Sequence, residues 1–565
     1  MSPIDSRFDA RRRTTFKILR RYFSSRWTVV VAGIVALLPA IVCGIPAGHD
    51  LPNHLKLAIP FYNAIQSGRL YPAWLAEANH GFGDTSLRFY PPALYYLMAA
   101  TRGLAGNWYA GFLIAFVLLS VLGALGVYFW ARSLFQKDIA VWAGILYAFV
   151  PYRLNEFYGA SLLAEYAAGA VLPFAFAFVL RTCRDGRARD IAGLALCFAL
   201  LVLSNLPLTV IGSLALLFYA LLTIEKSKLR QSLSRLCLGV ALGLAASAVY
   251  WTTMLAEISW IRKTQSSPYQ DLVAYFDYRR NFVFSPFSLG NTNSWLSNML
   301  MLATLSMALA PFLMFFWRGW KLDRQMKGLF ALLGISLLMT TDLSRPLWII
   351  IPKLKEVQFP WRWLVVSSIL VPVITAASIP FCRQRLSGKL RPLALIALGG
   401  ALVSVAYSGA RMRDANYLPH FEFDTAANHL YAEDSLEYWL PVWVNERPRP
   451  MPNAVEAKDR EVRINSWEAE QRWFWVGPGP AEEIRLRTFY YPHWVASAAG
   501  KPLASRPAAD GAMLISIPGD AASIKLQFHE PGRVRAAAVV SALGWTMIFL
   551  LLAYGWRSDP KQSPR

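Results

Sequence analysis

The sequence contains little cysteine, and its few cysteines do not form the pattern of a disulfide or metal site. Its 565 residues include five cysteines, all in or beside apolar runs and none between residues 411 and 533. No CxxC pair is present, whereas a disulfide-stapled scaffold is dense in cysteine. The composition therefore excludes a disulfide framework and a cysteine-based zinc site.

Acidic residues are also scarce relative to basic ones. The chain has 35 Asp and Glu against 57 Lys and Arg, a formal net charge of +22. The region 411–533 is nearly balanced, with 14 basic against 17 acidic residues, so the excess lies in the remainder of the chain. Most of it falls between apolar runs, where it sets membrane topology and meets anionic lipid head groups. The charge therefore indicates membrane lipids as partners and argues against nucleic acid.

Apolar residues are abundant, at 55% of the chain, with a mean hydropathy of +0.34. A run of about 20 apolar residues crosses the roughly 30 Å hydrocarbon core of a membrane. Such runs predict twelve spans, at 28–46, 108–131, 139–151, 166–181, 190–205, 206–224, 236–256, 299–317, 328–341, 361–380, 391–410 and 534–556. With all twelve kept, the basic loops share one side, which predicts cytoplasmic N- and C-termini. The basic N-terminus with its apolar run is interpreted as an uncleaved first helix.

Three long segments lie on the other side of the predicted membrane, at 46–107, 257–298 and 411–533. The third alternates apolar and polar residues in EEIRLRTFYY, AMLISIP and ASIKLQFHE, with the turn-forming AGKP, ADGA and PGDA among these runs. This pattern predicts a small antiparallel sandwich. The predicted fold class is an all-α polytopic membrane protein of about twelve transmembrane helices with a C-terminal extracytoplasmic β-rich module. Its parts are a membrane domain at 1–410, the module at 411–533, and a last helix with a tail at 534–565.

Asp50 stands where the chain leaves the first apolar run, in CGIPAGHDLPNHLKLAIPFYN. A carboxylate at a membrane boundary loses hydration, so it persists there with a partner or a task. If residues 51–65 form an interfacial helix, Asp50, Asn53 and His54 share one face. Three interpretations stay open: a helix N-cap, a general base for an acceptor hydroxyl, and a metal site of Asp50 with His54.

Several motifs of the outer segments resemble those of the GT-C superfamily of polytopic glycosyltransferases. They are SGRLYPAW, GFGD and FYPPALYYL in the first loop, PYRLNEFYGASLLAEYAAGAVLP at 151–173, VQFPWRW at 357–363 and FYYPHWVASAAGKPL at 489–503. Within that superfamily the chain resembles the bacterial membrane proteins named "6-pyruvoyl-tetrahydropterin synthase related" and the YfhO-like proteins. The matching motifs cover much of the chain in the family's order.

The resemblance implies transfer of a sugar from a polyprenyl-phosphate donor to an acceptor on the periplasmic side of a bacterial inner membrane. It places the first-loop catalytic acid at Asp50, and a second acid at Glu165 or, as the second choice, at Glu156. The first loop has GHD in place of a double-acid DD or DxD motif. This leaves open whether a divalent metal ion, Mg²⁺ or Mn²⁺, takes part.

Transfer from a lipid phosphate needs cations at the departing phosphate, and the guanidinium fork of arginine suits that group. Arg362 and Arg153 rank first as donor-phosphate ligands because they lie at span boundaries, where a charge is costly without a partner. Arg69 and Arg88 follow, with Arg279 and Arg280 behind them. The alternatives are an interfacial anchor for Arg362, an ion pair of Arg153 with Glu156, and solvated loop charges for the Arg279 pair.

Aromatic side chains of the first loop offer faces on which a sugar could stack. The candidates are Tyr71, Trp74 and Tyr90, with Tyr95 and Tyr96 beside them. An interfacial aromatic belt is the alternative explanation.

Two other function classes remain as alternatives to the transferase. A lipid or glycan transporter or flippase predicts charges in the middle of spans and paired broken helices. A non-enzymatic envelope glycan assembly protein would use the 411–533 module for capture and make the outer acids structural.

Overall fold

Long apolar helices make up most of residues 26–413 in a computed structural model of the protein. The structure describes residues 26–72, 74–262, 276–285, 292–312, 323–385, 391–433, 439–446 and 448–557. The basic segments 1–25, 313–322, 386–390 and 558–565, on which the topology prediction partly rests, lie outside the described residues.

The helices follow one another with short connections. In chain order they are α1 (Arg26–Val35), α2 (Leu38–Cys43), α3 (Leu51–Gln66), α4 (Ala93–Ala105), α5 (Trp108–Leu134), α6 (Lys137–Ala148), α7 (Pro151–Tyr158), α8 (Leu163–Arg184), α9 (Ala188–Ser204), α10 (Leu206–Thr223), α11 (Leu229–Ala246), α12 (Ala248–Glu257), α13 (Thr292–Met307), α14 (Arg324–Thr340), α15 (Arg345–Ile350), α16 (Leu364–Arg385), α17 (Arg391–Arg413), α18 (His420–Glu433) and α19 (Gly532–Arg557).

Six helical segments in the described part of the chain are long and apolar enough to cross a membrane. They are Trp108–Leu134, Leu163–Arg184, Leu206–Thr223, Pro360–Pro380, Arg391–Arg413 and Gly532–Gly555. A seventh arises if the helix pair Lys226–Ala246 and Ala248–Trp260, bent by 72°, is one span. The predicted span at 139–151 overlaps α6, which has 12 residues, and the one at 328–341 overlaps α14, which has 17. The structure shows several spans, and the number twelve stays a prediction.

Two helices lie in the centre of the membrane part. Helix α8 packs against α5, α9 and α10, and α16 packs against α6 and α14. Both are buried over most of their length, which explains why their sequences are apolar on all sides. Glu165 stands in the first turn of α8, and Arg362 lies in a short 3-10 helix, Pro360–Trp363, that leads into α16. The two central helices therefore begin at the same end of the molecule.

The first outer segment folds onto this end. A helix over the predicted residues is confirmed as α3, which begins at Leu51 and has Pro52 in its first turn, where the missing N–H is not needed. Its place at the membrane interface stays a prediction. Before it, strand β1 (Ile45–Pro46) pairs antiparallel with β2 (Tyr417–Leu418), which follows α17. Helix α18 packs on α3, so part of the 411–533 region belongs with the membrane part.

The predicted β-rich module is confirmed as a two-sheet sandwich between residues 455 and 528. Its strands are β3 (Val455–Glu456), β4 (Val462–Trp467), β5 (Gln471–Val476), β6 (Glu482–Phe489), β7 (Trp494–Ala498), β8 (Lys501–Pro502), β9 (Ser505–Pro507), β10 (Ala512–Ile517) and β11 (Ala522–Phe528). One sheet has the order β3-β6-β10-β9 and the other β4-β5-β11-β7-β8. The three alternating runs form β6, β10 and β11, and their apolar residues face the common core.

Candidate active site

Asp50 lies just before α3, but its carboxylate does not cap the helix. Its backbone has helical dihedrals, and no hydrogen bond runs from its side chain to the first turn of backbone N–H groups. Instead, Oδ1 accepts a long hydrogen bond of 3.4 Å from Asn53 Nδ2 and lies 3.4 Å from His49 Nε2. The side chain is 32% exposed. The N-cap interpretation is therefore wrong for this carboxylate, which stays available at the surface of the site.

The backbone around Asp50 is fixed by close contact with the turn between α7 and α8. The Asp50 N–H donates to the carbonyl oxygen of Ala160 at 3.2 Å, and the Gly48 N–H donates to Ser161 Oγ at 3.1 Å. A Cβ at Gly48 would lie 2.3 Å from Ser161 Oγ and 2.6 Å from the Ser161 nitrogen. The glycine of GHD thus permits the approach that places Asp50 next to the start of α8.

Glu165 and Arg362 form a buried ion pair at the start of the two central helices. Arg362 Nε lies 2.9 Å from Glu165 Oε2, and Tyr152 OH donates to Oε1 at 2.7 Å. Arg362 Nη1 donates to the Val357 carbonyl oxygen at 2.8 Å. Both Glu165 oxygens therefore have partners, so this carboxylate orients the guanidinium.

Arg153 and Glu156 form a second buried pair on α7, as the ion-pair interpretation predicts. Arg153 Nη1 donates to Glu156 Oε2 at 3.3 Å, and its guanidinium carbon lies 3.3 Å from the ring centre of Tyr166. Glu156 Oε1 and Arg153 Nη2 have no hydrogen-bond partner among the described residues. Burial raises the pKa of Glu156 well above its ordinary value; Arg153 opposes this rise, whereas Glu165 adds to it.

Asp50, Arg362 and Glu165 share one electrostatic environment. Burial raises the pKa of Asp50 above its ordinary value of 3.8, and the charges of His49 and Arg362 and the bond from Asn53 act against that rise. A carboxylate whose pKa is moved toward neutrality is a better proton acceptor than an ordinary surface aspartate. The site therefore combines a partly exposed carboxylate with a guanidinium that is paired with a second acid.

Tyr90 is the predicted stacking residue that lies beside this carboxylate. It is half-buried, and burial together with the charge of Asp50 raises its pKa. Its ring meets Trp439 edge-on at 6.4 Å, and Trp439 stacks on Phe89 at 6.1 Å. Tyr90 is thus an aromatic side chain near Asp50, with Trp439 against it.

His54 does not form a metal site with Asp50. It is 4% exposed, and its Nδ1 lies 3.1 Å from Tyr95 OH. Burial lowers its pKa to about 3, which keeps the ring neutral. Within the described ranges, no three His, Cys, Asp or Glu side chains gather as a metal ion would require. The metal interpretation of Asp50 with His54 therefore has no ligand set in this part of the chain.

Arg88, a predicted phosphate ligand, is instead buried and paired with two carboxylates. It donates to Glu257 from Nε at 2.6 Å and from Nη2 at 2.8 Å, and it also pairs with both oxygens of Glu530. Tyr491 OH and His493 Nε2 contact the same Glu257, at 2.7 and 2.9 Å. Since Arg88 is 0% exposed and holds two carboxylates, a donor phosphate cannot reach it.

Arg69, Trp74 and Tyr71 also lie away from Asp50. Arg69 Nη1 is 3.3 Å from Glu470 Oε1, at the edge of the sandwich. Trp74 is 1% exposed and contacts Trp494 with ring centres 5.3 Å apart, so it is a core residue of the sandwich and not a sugar platform. The Tyr71 hydroxyl is buried near Arg88.

Sequence reasoning missed several residues that shape the site. Tyr152 donates a hydrogen bond to Glu165, and Ser161 accepts one from the Gly48 N–H in the Asp50 loop. Trp439 contacts the ring of Tyr90, and Glu257 accepts hydrogen bonds from Arg88. Tyr152 and Ser161 lie inside the quoted motif at 151–173, so the motif gave a local signal. Trp439 and Glu257 gave none, because their partners are distant in the chain.

Fold and site together define a polytopic membrane protein that carries paired acids and arginines at one end of its central helices, beneath a β-sandwich. A family model described as "6-pyruvoyl-tetrahydropterin synthase related domain; membrane protein" matches residues 87–408, which is more than half of the chain. The protein belongs to this family, as the resemblance predicted. No curated protein matches the chain.

Solved structures of three membrane proteins are similar to it. The arabinofuranosyltransferase AftD from Mycobacteria is 19% identical with a TM-score of 0.44, over 69% of this chain and 27% of that one. The Archaeoglobus fulgidus oligosaccharyltransferase, in complex with Zn and sulfate, is 17% identical with a TM-score of 0.39, over 70% and 54%. ArnT from Cupriavidus metallidurans, bound to undecaprenyl phosphate, is 16% identical with a TM-score of 0.35, over 68% and 76%. The chain thus spans about a quarter and about a half of the first two proteins, and likeness at these scores carries no argument about activity.

Proposed function

We propose that the protein is a membrane glycosyltransferase that moves a sugar from a polyprenyl-phosphate-linked donor to an acceptor on the periplasmic side. The observation that carries this proposal is Asp50, whose carboxylate is uncapped, partly exposed and next to a buried Glu165–Arg362 pair at the end of two central helices. The donor class and the periplasmic side follow from the resemblance of the outer motifs to GT-C transferases and from the charge of the loops.

In the proposed reaction, an acceptor hydroxyl attacks the anomeric carbon while the bond from that carbon to the phosphate oxygen breaks. The hydroxyl proton passes to the Asp50 carboxylate, and the lipid phosphate leaves with the bonding electron pair. Arg362 meets the negative charge that develops on the phosphate, because electrostatic stabilisation acts where charge appears. Glu165 is a positioning residue, since both of its oxygens are committed to Arg362 and Tyr152.

The place of the site suits a lipid-borne donor. Arg362 lies in the turn that leads into a membrane-spanning helix, and Glu165 lies in the first turn of another. If these helices cross the membrane, their ends lie near the lipid phosphates, so a polyprenyl phosphate can approach the guanidinium while its tail stays in the membrane. Tyr90 offers an aromatic ring near Asp50 against which a sugar ring can pack.

The test compares envelope lipids and glycans, by mass spectrometry, from a deletion strain that carries the wild-type chain, Asp50→Asn or Glu483→Gln. Glu483 is an exposed acid of the sandwich, paired with Arg506. Removing a general base costs about 100-fold or more in rate. We expect Asp50→Asn to lack a product one sugar heavier that both the wild type and Glu483→Gln make.

Equal amounts of that product in the Asp50→Asn and wild-type strains would show that Asp50 is not the general base. If no strain differs by a sugar mass, a transporter or an assembly protein becomes the better interpretation. Membrane levels of each variant, measured by immunoblot, separate a loss of activity from a loss of protein.

A further inference from the structure

A second polar site lies at the opposite end of the membrane part. A cavity of about 390 Å³ opens between the ends of α5, α8 and α10 and the starts of α11 and α14. Its volume falls within the roughly 300–1,000 Å³ of small-molecule pockets. Helix α8 carries Glu165 in its first turn and Arg184 in its last. At 1.5 Å per residue, these two are about 30 Å apart, so the cavity is remote from Asp50.

The rim of this cavity, called here the basic cavity, has an excess of positive charge. Arg184, Lys228 and Arg324 line it, with Glu225 as the only acid among the lining residues. Lys228 Nζ lies 3.2 Å from Glu225 Oε2, which balances that pair. The positive charges of Arg184 and Arg324 are therefore not balanced by an acid among the lining residues.

Neither arginine is neutralised by a carboxylate within the part of the chain that the structure describes. Arg184 donates to the Ser133 carbonyl oxygen at 2.9 Å and lies 3.4 Å from Gln325 Oε1, while Arg324 donates to the Ile224 carbonyl oxygen at 3.0 Å. These neutral acceptors fix the two side chains at the rim and leave their charges uncompensated. A preorganised pair of arginines is the arrangement that recognises phosphate groups.

The inner wall of the basic cavity is mainly apolar. Leu134, Leu180 and Leu222 line it, and the Tyr219 hydroxyl at its wall accepts a hydrogen bond from Trp130 at 3.0 Å. A ligand that fits both parts has an anionic head and an apolar or neutral body. The arginines stand in the last turn of α8, which is long and apolar enough to cross a membrane, and in the first turn of α14.

We propose that the basic cavity binds a phosphate ester at the membrane face opposite Asp50. Arg184 and Arg324 hold the phosphate oxygens, and the leucine wall takes the body of the ligand. Such an ester has two sources, an anionic phospholipid of the bilayer or a soluble phosphate metabolite. The site is independent of the transferase proposal, because none of its residues belongs to the Asp50 site.

The test uses the full chain in detergent, titrated with dioleoyl phosphatidylglycerol and followed by native mass spectrometry. We expect one tightly retained lipid, and an affinity that falls by about tenfold or more in the double variant Arg184→Gln with Arg324→Gln, since hydrogen bonds from a guanidinium to a phosphate are among the strong ones. The matched control is Lys226→Gln with Arg230→Gln, which removes two exposed charges that lie within two residues of Lys228 in sequence but do not line the cavity. We expect this control to bind within about twofold of the wild type.

A second variant tests the cavity without removing any charge. Gly328 lines it, and a Cβ there would have only an ordinary contact, 3.7 Å from Leu222 Cβ. Gly328→Leu therefore fills the space on a helix that tolerates leucine well. We expect it to retain all rim arginines, fold as the wild type does, and lose lipid binding by a similar factor.

The source of the phosphate is decided by competition. Displacement of the lipid by millimolar sn-glycerol 3-phosphate assigns the site to a soluble ester, and lack of displacement assigns it to a phospholipid. Equal losses in the control and in the Arg184 and Arg324 variant would show diffuse surface charge and overturn the proposal. Unchanged binding in Gly328→Leu would also overturn it.

Discussion

At the scale of single residues, the site depends on Asp50, whose backbone is fixed by a hydrogen bond while its carboxylate does not cap the helix. Asp50 is positioned by its backbone N–H, while its carboxylate lies 3.4 Å from both His49 Nε2 and Asn53 Nδ2. Because burial raises its pKa, the folded protein favours the neutral carboxyl over the charged one. Asp50→Asn, which resembles the neutral form, is therefore expected to unfold at the same temperature as the wild type or slightly higher.

The raised pKa of Asp50 predicts how transfer depends on pH. The base form is lost as pH falls through the raised pKa, so activity declines in acid at a higher pH than an ordinary aspartate would give. The charge of His49 lowers this pKa, so His49→Ala should move the acid limb of the profile to still higher pH. The measurement is the rate of sugar transfer in membranes against pH.

His420→Ala is the control for that profile. His420 also pairs with an aspartate, Asp424, at 2.9 Å, but it stands on the exposed face of α18. Its removal should leave the acid limb in place. A wild-type limb that does not move in His49→Ala would show that Asp50 does not set the profile.

At the scale of elements, the contact between the first loop and the α7–α8 turn decides whether the site assembles. Gly48→Ala brings a Cβ within 2.3–2.7 Å of Ser161 and Ala160, including backbone atoms that cannot turn aside. The loop must then shift, and a displacement of about 1 Å in a site can cost about 100-fold in rate. We expect that loss in a transfer assay, with little change in the amount of protein in the membrane.

Gly103→Ala is the matched comparison for Gly48→Ala. Gly103 lies within α4, and a Cβ there meets no atom within 4 Å. Alanine is favoured over glycine inside a helix by up to about 1 kcal/mol, so this variant should be fully active and no less stable. Full activity in Gly48→Ala would show that the loop does not need the close approach.

The elements and the site differ in how far the sequence predicts them. Alternating runs predict β6, β10 and β11, and the Leu-Pro start of α3 is also visible in the sequence. The motifs point to Glu165 and Arg362 separately, but their ion pair joins residues that are far apart in the chain. The sequence misplaces Arg88 and Trp74, because their partners are distant in the chain: Glu257 and Glu530 for Arg88, and Trp494 of the sandwich for Trp74. A local motif can identify a side chain as a candidate for the site, but only tertiary packing determines which residue it pairs with.

At the scale of the whole molecule, the network around Arg88 joins three parts of the chain. Arg88 belongs to the first outer segment, Glu257 ends α12, and Glu530 lies between the sandwich and α19. Arg533, at the start of α19, donates to the same Glu257 at 2.8 Å. The sandwich is therefore held onto the membrane part by buried charge.

Removing the centre of this network should loosen the sandwich. Arg88→Met leaves Glu257 buried without its main partner, and breaking a buried ion pair in this way costs about 3–5 kcal/mol. We expect a clear fall in the midpoint of thermal unfolding, followed by tryptophan fluorescence. Arg88→Lys should rescue only part of it, because one ammonium group cannot form two bidentate pairs.

Two further variants test that interpretation. Arg506→Met breaks an exposed pair with Glu483 and should leave the midpoint unchanged. Adding Glu257→Gln and Glu530→Gln to Arg88→Met removes the uncompensated charges and should restore part of the lost stability. A midpoint in Arg88→Met equal to that of Arg506→Met would mean that the network does not hold the sandwich.

The antiparallel pairing of β1 with β2 affects when, during synthesis, the Asp50 site can form. Strand β1 precedes the Asp50 loop, but its partner β2 is about 370 residues further along the chain. At about 5–20 residues per second, the ribosome takes roughly 20–70 s to deliver that partner. For about the last two thirds of this interval the nascent chain already has Asp50 and Glu165, yet the entry to the loop lacks one of its two strands. Newly inserted chains therefore pass through a stage in which the first helices are present and the site is not yet closed.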